Sequence, residues 1–186
     1  MATFGQTGDG TNTGTSSADA NLANRSTEAN SSPASNGTLV SVNARLWLSA
    51  TGSSKMQAAL WDASTGAPLC VSDEVTVTNT TEQEIVFNFS GGNAISLTAG
   101  TSYTYGVMWK DPGTPSVTWS RQATSSTSLK NNVAYVTGSA QNPIGSGTVS
   151  GPVDMYVTYT PSGASAPGND WPIFTGDKFW GPRYSG

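Results

Sequence analysis

The chain has 186 residues, of which 11% are charged, and a formal net charge of −4 at pH 7, a size that suits one domain with extensions. The acidic balance, with no run of Lys or Arg, excludes the basic stripe that nucleic-acid binding needs, and no apolar stretch approaches membrane-spanning length. Histidine is absent, which removes Ser–His–Asp triads, Cys–His pairs and His-ligated zinc, while six Trp, six Tyr and five Phe supply the core material that a disordered chain lacks.

Residues 2–14 are rich in Gly, Thr and Asn and read as an N-terminal arm or a first edge strand. Residues 15–35 are polar, with Leu22 the only large aliphatic, and predict one irregular strand. From 39 to 50 the pattern alternates. Val40, Val42, Ala44, Leu46 and Leu48 form one face, and Ser41, Asn43, Arg45, Trp47 and Ser49 the other, the period of a half-buried strand. A turn at 51–54 leads into Met56, Ala58 and Leu60 alternating with Gln57, Ala59 and Trp61, which reads as the hairpin partner. Residues 62–68 carry turn chemistry. Further strands are expected at 69–71, 74–78, 84–89, 102–110, 116–121, 132–137 and 153–160, mostly separated by Gly, Pro, Asn or Asp. No segment keeps a helical period. Eight to ten short strands predict an all-β, jelly-roll-like antiparallel sandwich.

After a Ser/Gly/Ala/Pro run at 161–168 the character changes. Trp171, Phe174, Phe179, Trp180 and Tyr184 are interrupted by Pro172 and Pro182, which forbid regular structure. Burying five rings offsets the entropy of ordering such a segment only if most of them find an apolar surface. The expected organisation is therefore an N-terminal arm (1–15), a sandwich (16–160) and an extended C-terminal docking arm (161–186) that packs on its own domain or on a neighbouring subunit.

Several stretches, in order, carry a resemblance. They are Asn-Arg-Ser-Thr at 24–27, Gly-Thr-Leu-Val-Ser-Val at 37–42 leading into Leu-Trp-Leu at 46–48, and Met-Gln-Ala-Ala-Leu-Trp-Asp at 56–62 followed by Gly-Ala-Pro-Leu at 66–69. The last is Ile-Ser-Leu-Thr-Ala-Gly-Thr-Ser-Tyr at 95–103, leading into Tyr-Gly-Val at 105–107. Residues 20–160 so read resemble a jelly-roll β-sandwich module of phage virion proteins, in head decoration or minor tail proteins, also found as a non-catalytic domain of bacterial secreted proteins. Trp61 stands where that family often has Tyr. The resemblance implies a scaffold or surface-binding role without catalytic residues.

The remaining candidates are weighed residue by residue. Trp47 and Trp61, on the polar sides of two strands read as neighbours, would form a sugar-stacking platform or be covered by an arm or loop. Asp73, Glu74, Glu82 and Glu84 are the material for two-carboxylate glycoside hydrolysis, but nothing places a pair across a cleft. Asp9, Asp19 and Asp154 would suit calcium only if brought together. Arg121 reads as a cross-strand ion-pair partner or an exposed charge. Cys70, single and in an apolar run, reads as a buried, inert thiol. Asn24, Asn30, Asn36, Asn79 and Asn88 match the glycosylation pattern by chance in so Asn-, Ser- and Thr-rich a chain. Residues 1–6 lack a basic and an apolar stretch, so no secretory signal is expected, and a protein folded in the cytosol with the surface of an exposed particle fits a virion component. The expected protein is a structural, non-enzymatic virion protein without cofactor or metal. Its partners would be capsid or tail subunits and copies of itself, bound through Trp171, Phe174, Phe179, Trp180 and Tyr184. The rival is a carbohydrate-binding module for attachment.

Overall fold

The computed structural model describes residues 1–8, 10–24, 31–123, 127–142 and 147–163. Among them are fourteen strands. In chain order they are β1 (Ala2–Gly5), β2 (Asn12–Ser16), β3 (Ala20–Asn24), β4 (Gly37–Leu48), β5 (Ser54–Asp62), β6 (Pro68–Val71) and β7 (Val75–Val77). Then come β8 (Gln83–Asn88), β9 (Ser96–Leu97), β10 (Tyr103–Trp109), β11 (Val117–Arg121), β12 (Thr127–Asn131), β13 (Gly147–Ser150) and β14 (Met155–Pro161). The only helical piece among the described residues is a single 3-10 turn, Gly91–Asn93.

The strands form two seven-stranded antiparallel sheets. In the first, the order is β1-β14-β4-β11-β2, with β8 and β9 also on β4; in the second it is β13-β12-β3-β10-β5-β6, with β7 on β5. Only β5–β6 and β12–β13 join strands that are consecutive in the chain; every other described pairing brings distant segments together. Passing repeatedly from sheet to sheet, the chain wraps itself in a jelly-roll-like sandwich.

β4 holds the first sheet together. β8 pairs with it over 41–46 and β14 over 37–44, so these two lie on opposite edges. β11 pairs at 46–48, taking over from β14 on the same edge. The alternation expected along β4 puts Val42, Ala44, Leu46 and Leu48 in the core, each at most 1% exposed. Val40 departs from it. The register slips where Thr158 faces Ser41 but Tyr159 faces Leu39, so Val40 is the extra residue of a β-bulge. Leu39 takes the core position in its place.

Three expectations are corrected here. Residues 1–15 are not an arm: β1 pairs with β14 and β2 with β11 at the two ends of the first sheet, so the edge-strand alternative is the one formed. β4 and β5 are not a hairpin, because they lie in opposite sheets. The strand expected at 132–137 lies instead at Thr127–Asn131, and residues 132–142 run as an irregular strap.

The interior is filled from both inner faces. Trp109 and Trp119 meet with ring centroids 5.7 Å apart, and Phe4 stands edge-on to Tyr105 and Tyr159. Trp119 also explains a glycine. A Cβ on Gly14, its partner in the ladder, would come within 2.3 Å of the indole, so only a hydrogen fits there.

At one end of this core lies a polar knot. Asn24, fully buried, donates from Nδ2 to the Val153 carbonyl (2.9 Å) and accepts at Oδ1 from the Val153 amide (2.9 Å) and Ser128 Oγ (2.9 Å). Ser128 Oγ also stands 3.1 Å from the Gly151 carbonyl, and Tyr105 Oη is 3.4 Å from Asn24 Nδ2. One carboxamide thus ties β3 and β12 of the second sheet to the segment that carries the chain into β14 of the first. We expect Asn24→Leu, which strands the Val153 carbonyl and leaves the Val153 amide only its longer bond to Ser128 Oγ (3.2 Å), to cost about 3 kcal/mol in urea unfolding, and Ser128→Ala about 1 kcal/mol. A loss below about 1 kcal/mol for Asn24→Leu would show that the knot is dispensable.

Candidate functional site

The two tryptophans expected as a platform part company. Trp47 is half-buried on the outer face of the first sheet, whereas Trp61 is fully buried on the outer face of the second. They share no surface, so the paired platform does not exist.

Small residues make room for Trp61. Ala59, Gly106 and Ala23 face one another across β5, β10 and β3. On that low floor Trp61 packs with Met108, Leu129 and Ala140, with Tyr135 and Val71 at the margin, in a second apolar cluster outside the main core. The strap at 132–142 closes over Trp61, whereas Trp47 stays partly exposed. Polar pegs fasten the strap. Asp19 Oδ2 accepts the Tyr135 amide (2.7 Å), and Glu74 Oε2 accepts Tyr135 Oη (3.0 Å) and Thr137 Oγ1 (2.7 Å). Gln57 Oε1 accepts the Gly138 amide (3.0 Å), and Asn21 Nδ2 donates to the Gln141 carbonyl (3.0 Å). Lys55 Nζ lies 2.6 Å from the other Glu74 oxygen. Hydrogen bonds from Lys55 and Thr137 hold the Glu74 carboxyl below its ordinary range, while burial and the Glu74 charge push the Tyr135 phenol up.

The outer face of the first sheet is polar. Asn43, Arg45 and Trp47 follow one another along β4, with Tyr156 beside Asn43 on β14 and Glu84 beside Arg45 on β8. Tyr156 Oη reaches across β4 to Glu84 Oε2 (3.0 Å), and Arg45 Nη1 pairs with Glu82 (3.2 Å). Between this face and residues 6–8 lies a narrow cleft whose lining includes Asn43, Arg45, Glu84, Asp154 and Tyr156. Asp154 is only 3% exposed. Its Oδ2 accepts the Gly10 amide (2.6 Å), and its Oδ1 has no partner within hydrogen-bond distance. Burial raises the Asp154 carboxyl above its usual range, partly offset by Ser120, the Gly10 amide, Gln122 and the charge of Arg45.

The other candidates serve the scaffold. Asp19 holds the Asp111 amide as well as the strap, and among the described residues no three acidic or thiol side chains converge on a metal position. Asp9 lies outside the described residues. Arg121 donates to the Thr13 and Ser150 carbonyls, joining β2 and β13 across the two sheets. Cys70 is buried in the core, where loss of solvation pushes its thiol up to about 12. Asn24 is too deeply buried to carry a glycan. The docking residues Trp171, Phe174, Phe179, Trp180 and Tyr184 lie outside the described residues. Sequence reasoning missed Asp154 as a cleft residue and the strap as a cover. The run Ala59, Gly106 and Ala23 was the available signal for the second, but only once the register was known.

Compared with known proteins, the chain matches no family model, and no curated protein matches it.

The strap has a pH signature. Because the Glu74 carboxyl is depressed in the fold, its contribution is fully present above about 4.5, the ordinary value, and is lost as pH falls through the folded value. We expect the protection of the Trp61 indole proton, the slowing of its exchange relative to a free indole at the same pH, to fall in acid, and Glu74→Gln to lower it at neutral pH. Tyr135→Phe should cost about 1–2 kcal/mol in unfolding. An NMR protection factor for Trp61 that ignores both pH and Glu74→Gln would refute the pegged strap.

Proposed function

We propose that this chain is a structural protein of a phage particle, decorating the head or belonging to the tail, and that it holds neighbouring virion subunits through its aromatic C-terminal segment. The reading rests first on the resemblance carried by residues 20–160. One structural observation adds most support. The sandwich closes with β14, whose last residue, Pro161, pairs with Gly37, and the Ser162 amide bonds to the Asn36 carbonyl at 2.8 Å. Inner-face residues from Phe4 to Tyr159 already bury one another. The five rings beyond 170 therefore follow a domain whose two sheets already cover each other, and a linker of small residues separates them from it.

The charges support a passive role. Glu74, Asp19, Asp154 and Arg121 each fasten backbone or side chains of another segment. Asp62 caps its own turn through four hydrogen bonds from Ser64 and Thr65, which hold its carboxyl down at about 2. On a particle, copies attached through the tail, and joined to one another as a homo-oligomer, would stabilise the shell by many-fold attachment. Trp47 and Trp61 lie in different sheets, so the two-ring sugar platform of the rival reading is not formed.

A chain ending at Pro161 tests the proposal. We expect it to fold with the melting temperature of the full chain to within a few degrees, but to be missing from purified particles, where electron microscopy of a tagged full-length chain finds the protein on the head or the tail. Normal incorporation of the shortened chain would overturn attachment through the tail, and absence of the full chain from particles would overturn the virion reading itself.

A further inference from the structure

The cleft on the outer face of the first sheet has a feature that folding alone does not require. Asp154 is more than nine-tenths buried, yet Oδ1 lacks a donor while Oδ2 is satisfied by Gly10. A buried carboxylate oxygen left without a hydrogen bond costs stability, and more if the group is charged. Asp154 also lines the cleft, so its carboxyl is a candidate partner for a donor that enters there. The cleft itself decides which kind. Its interior, about 30 Å³, admits one or two hydroxyl-sized groups. It is too small for a ring, so a larger ligand must lie across its mouth and lower a polar group into it.

The lining narrows the chemistry further. Two carboxylates, Asp154 and Glu84, face one guanidinium, Arg45. The negative balance disfavours phosphate, sulfate or an acidic sugar. The guanidinium beside Asp154 disfavours a bare cation, in agreement with the lack of a convergent acidic cluster among the described residues. A neutral ligand rich in hydroxyls satisfies both conditions, since each hydroxyl both donates and accepts. Round the mouth stand Asn43, whose Nδ2 already donates to Ser41 and Thr158 and whose Oδ1 is an acceptor, the Arg45–Glu84 pair of ladder neighbours, and the Tyr156 phenol, which donates to Glu84. Trp47 lies on the same face of β4, four residues and roughly 13 Å from Asn43 at about 3.3 Å per residue. Its half-exposed ring offers an apolar surface at one end of that polar row.

We propose that the outer face of the first sheet binds a neutral oligosaccharide, with one hydroxyl inserted against Asp154 and a sugar ring laid on Trp47. Trp61 takes no part. The site is independent of the C-terminal segment, and its occupation adds recognition of a saccharide surface to attachment within a particle.

A glycan array probed with the labelled full chain, followed by isothermal titration of the best neutral oligosaccharide retained, tests this. Asp154→Asn keeps an acceptor for the Gly10 amide but changes what meets the hydroxyl. Trp47→Ala and Glu84→Gln alter the surface and leave the core untouched, so they decide the matter even if Asp154→Asn folds poorly. The expected result is binding that weakens tenfold or more in Trp47→Ala and Glu84→Gln, with unfolding midpoints unchanged, and that is unaffected by Trp61→Phe. Ending the chain at Pro161 should leave it intact, which separates this site from the attachment role. Retention of no neutral oligosaccharide, or unchanged affinity in both surface variants, would overturn the proposal and leave the cleft to ordered water.

Discussion

A single buried carboxamide sets the shape of this sandwich. Asn24 sits where β3 ends in the second sheet and where the chain turns into the last strand of the first. It offers both a donor and an acceptor, and the Val153 backbone needs both. An apolar residue in that place would leave the Val153 carbonyl unpaired in a dry layer and its amide with only the longer bond to Ser128 Oγ, which is a costly change for a fold. The remaining packing is adaptable by comparison. Leu, Met and Val in the core trade volume with modest loss, whereas the knot admits few alternatives and fixes how the two sheets sit at that end.

Sequence alternation revealed which face of each strand is buried, and did so well along β4 and β5. It could not reveal which sheet a strand joins. Two strands with apolar inner faces and a short turn between them look the same whether they pair in one sheet or face each other across a core. Hence the hairpin expected between β4 and β5 is in fact a crossing between sheets. The bulge at Val40 was hidden for a related reason, because Leu39 and Val40 are both apolar and either satisfies the pattern. The strap was mistaken for a strand because Val133, Ala134, Tyr135 and Val136 have strand-like chemistry, whereas the true strand β12 is largely polar. Strand preference depends on what a side chain packs against, and here the ladder to β3 outweighed local composition.

The polar outer surfaces show a common logic. This chain has few charges, and several of them reach into a second segment rather than into solvent. Glu74 joins β5 to the strap, Arg121 joins one sheet to the other, and Asp154 holds the loop between β1 and β2. Exposed ion pairs contribute little in water, so their value lies in holding irregular segments that lack ladder bonds of their own. The two faces differ in consequence. The second sheet is roofed over, and the first keeps a cleft and a half-open tryptophan.

The pairing of the first strand with the last has a bearing on how the protein comes into being. As a nascent chain leaves the ribosome, β1 emerges about a hundred and fifty residues ahead of β14, the neighbour with which it pairs. β4 waits nearly as long for one of its edges to be filled. Neither can settle until β14 has been made, and contacts so far apart in sequence form slowly. A product cut short before β14 would present bare strand edges on β1 and β4 to its surroundings.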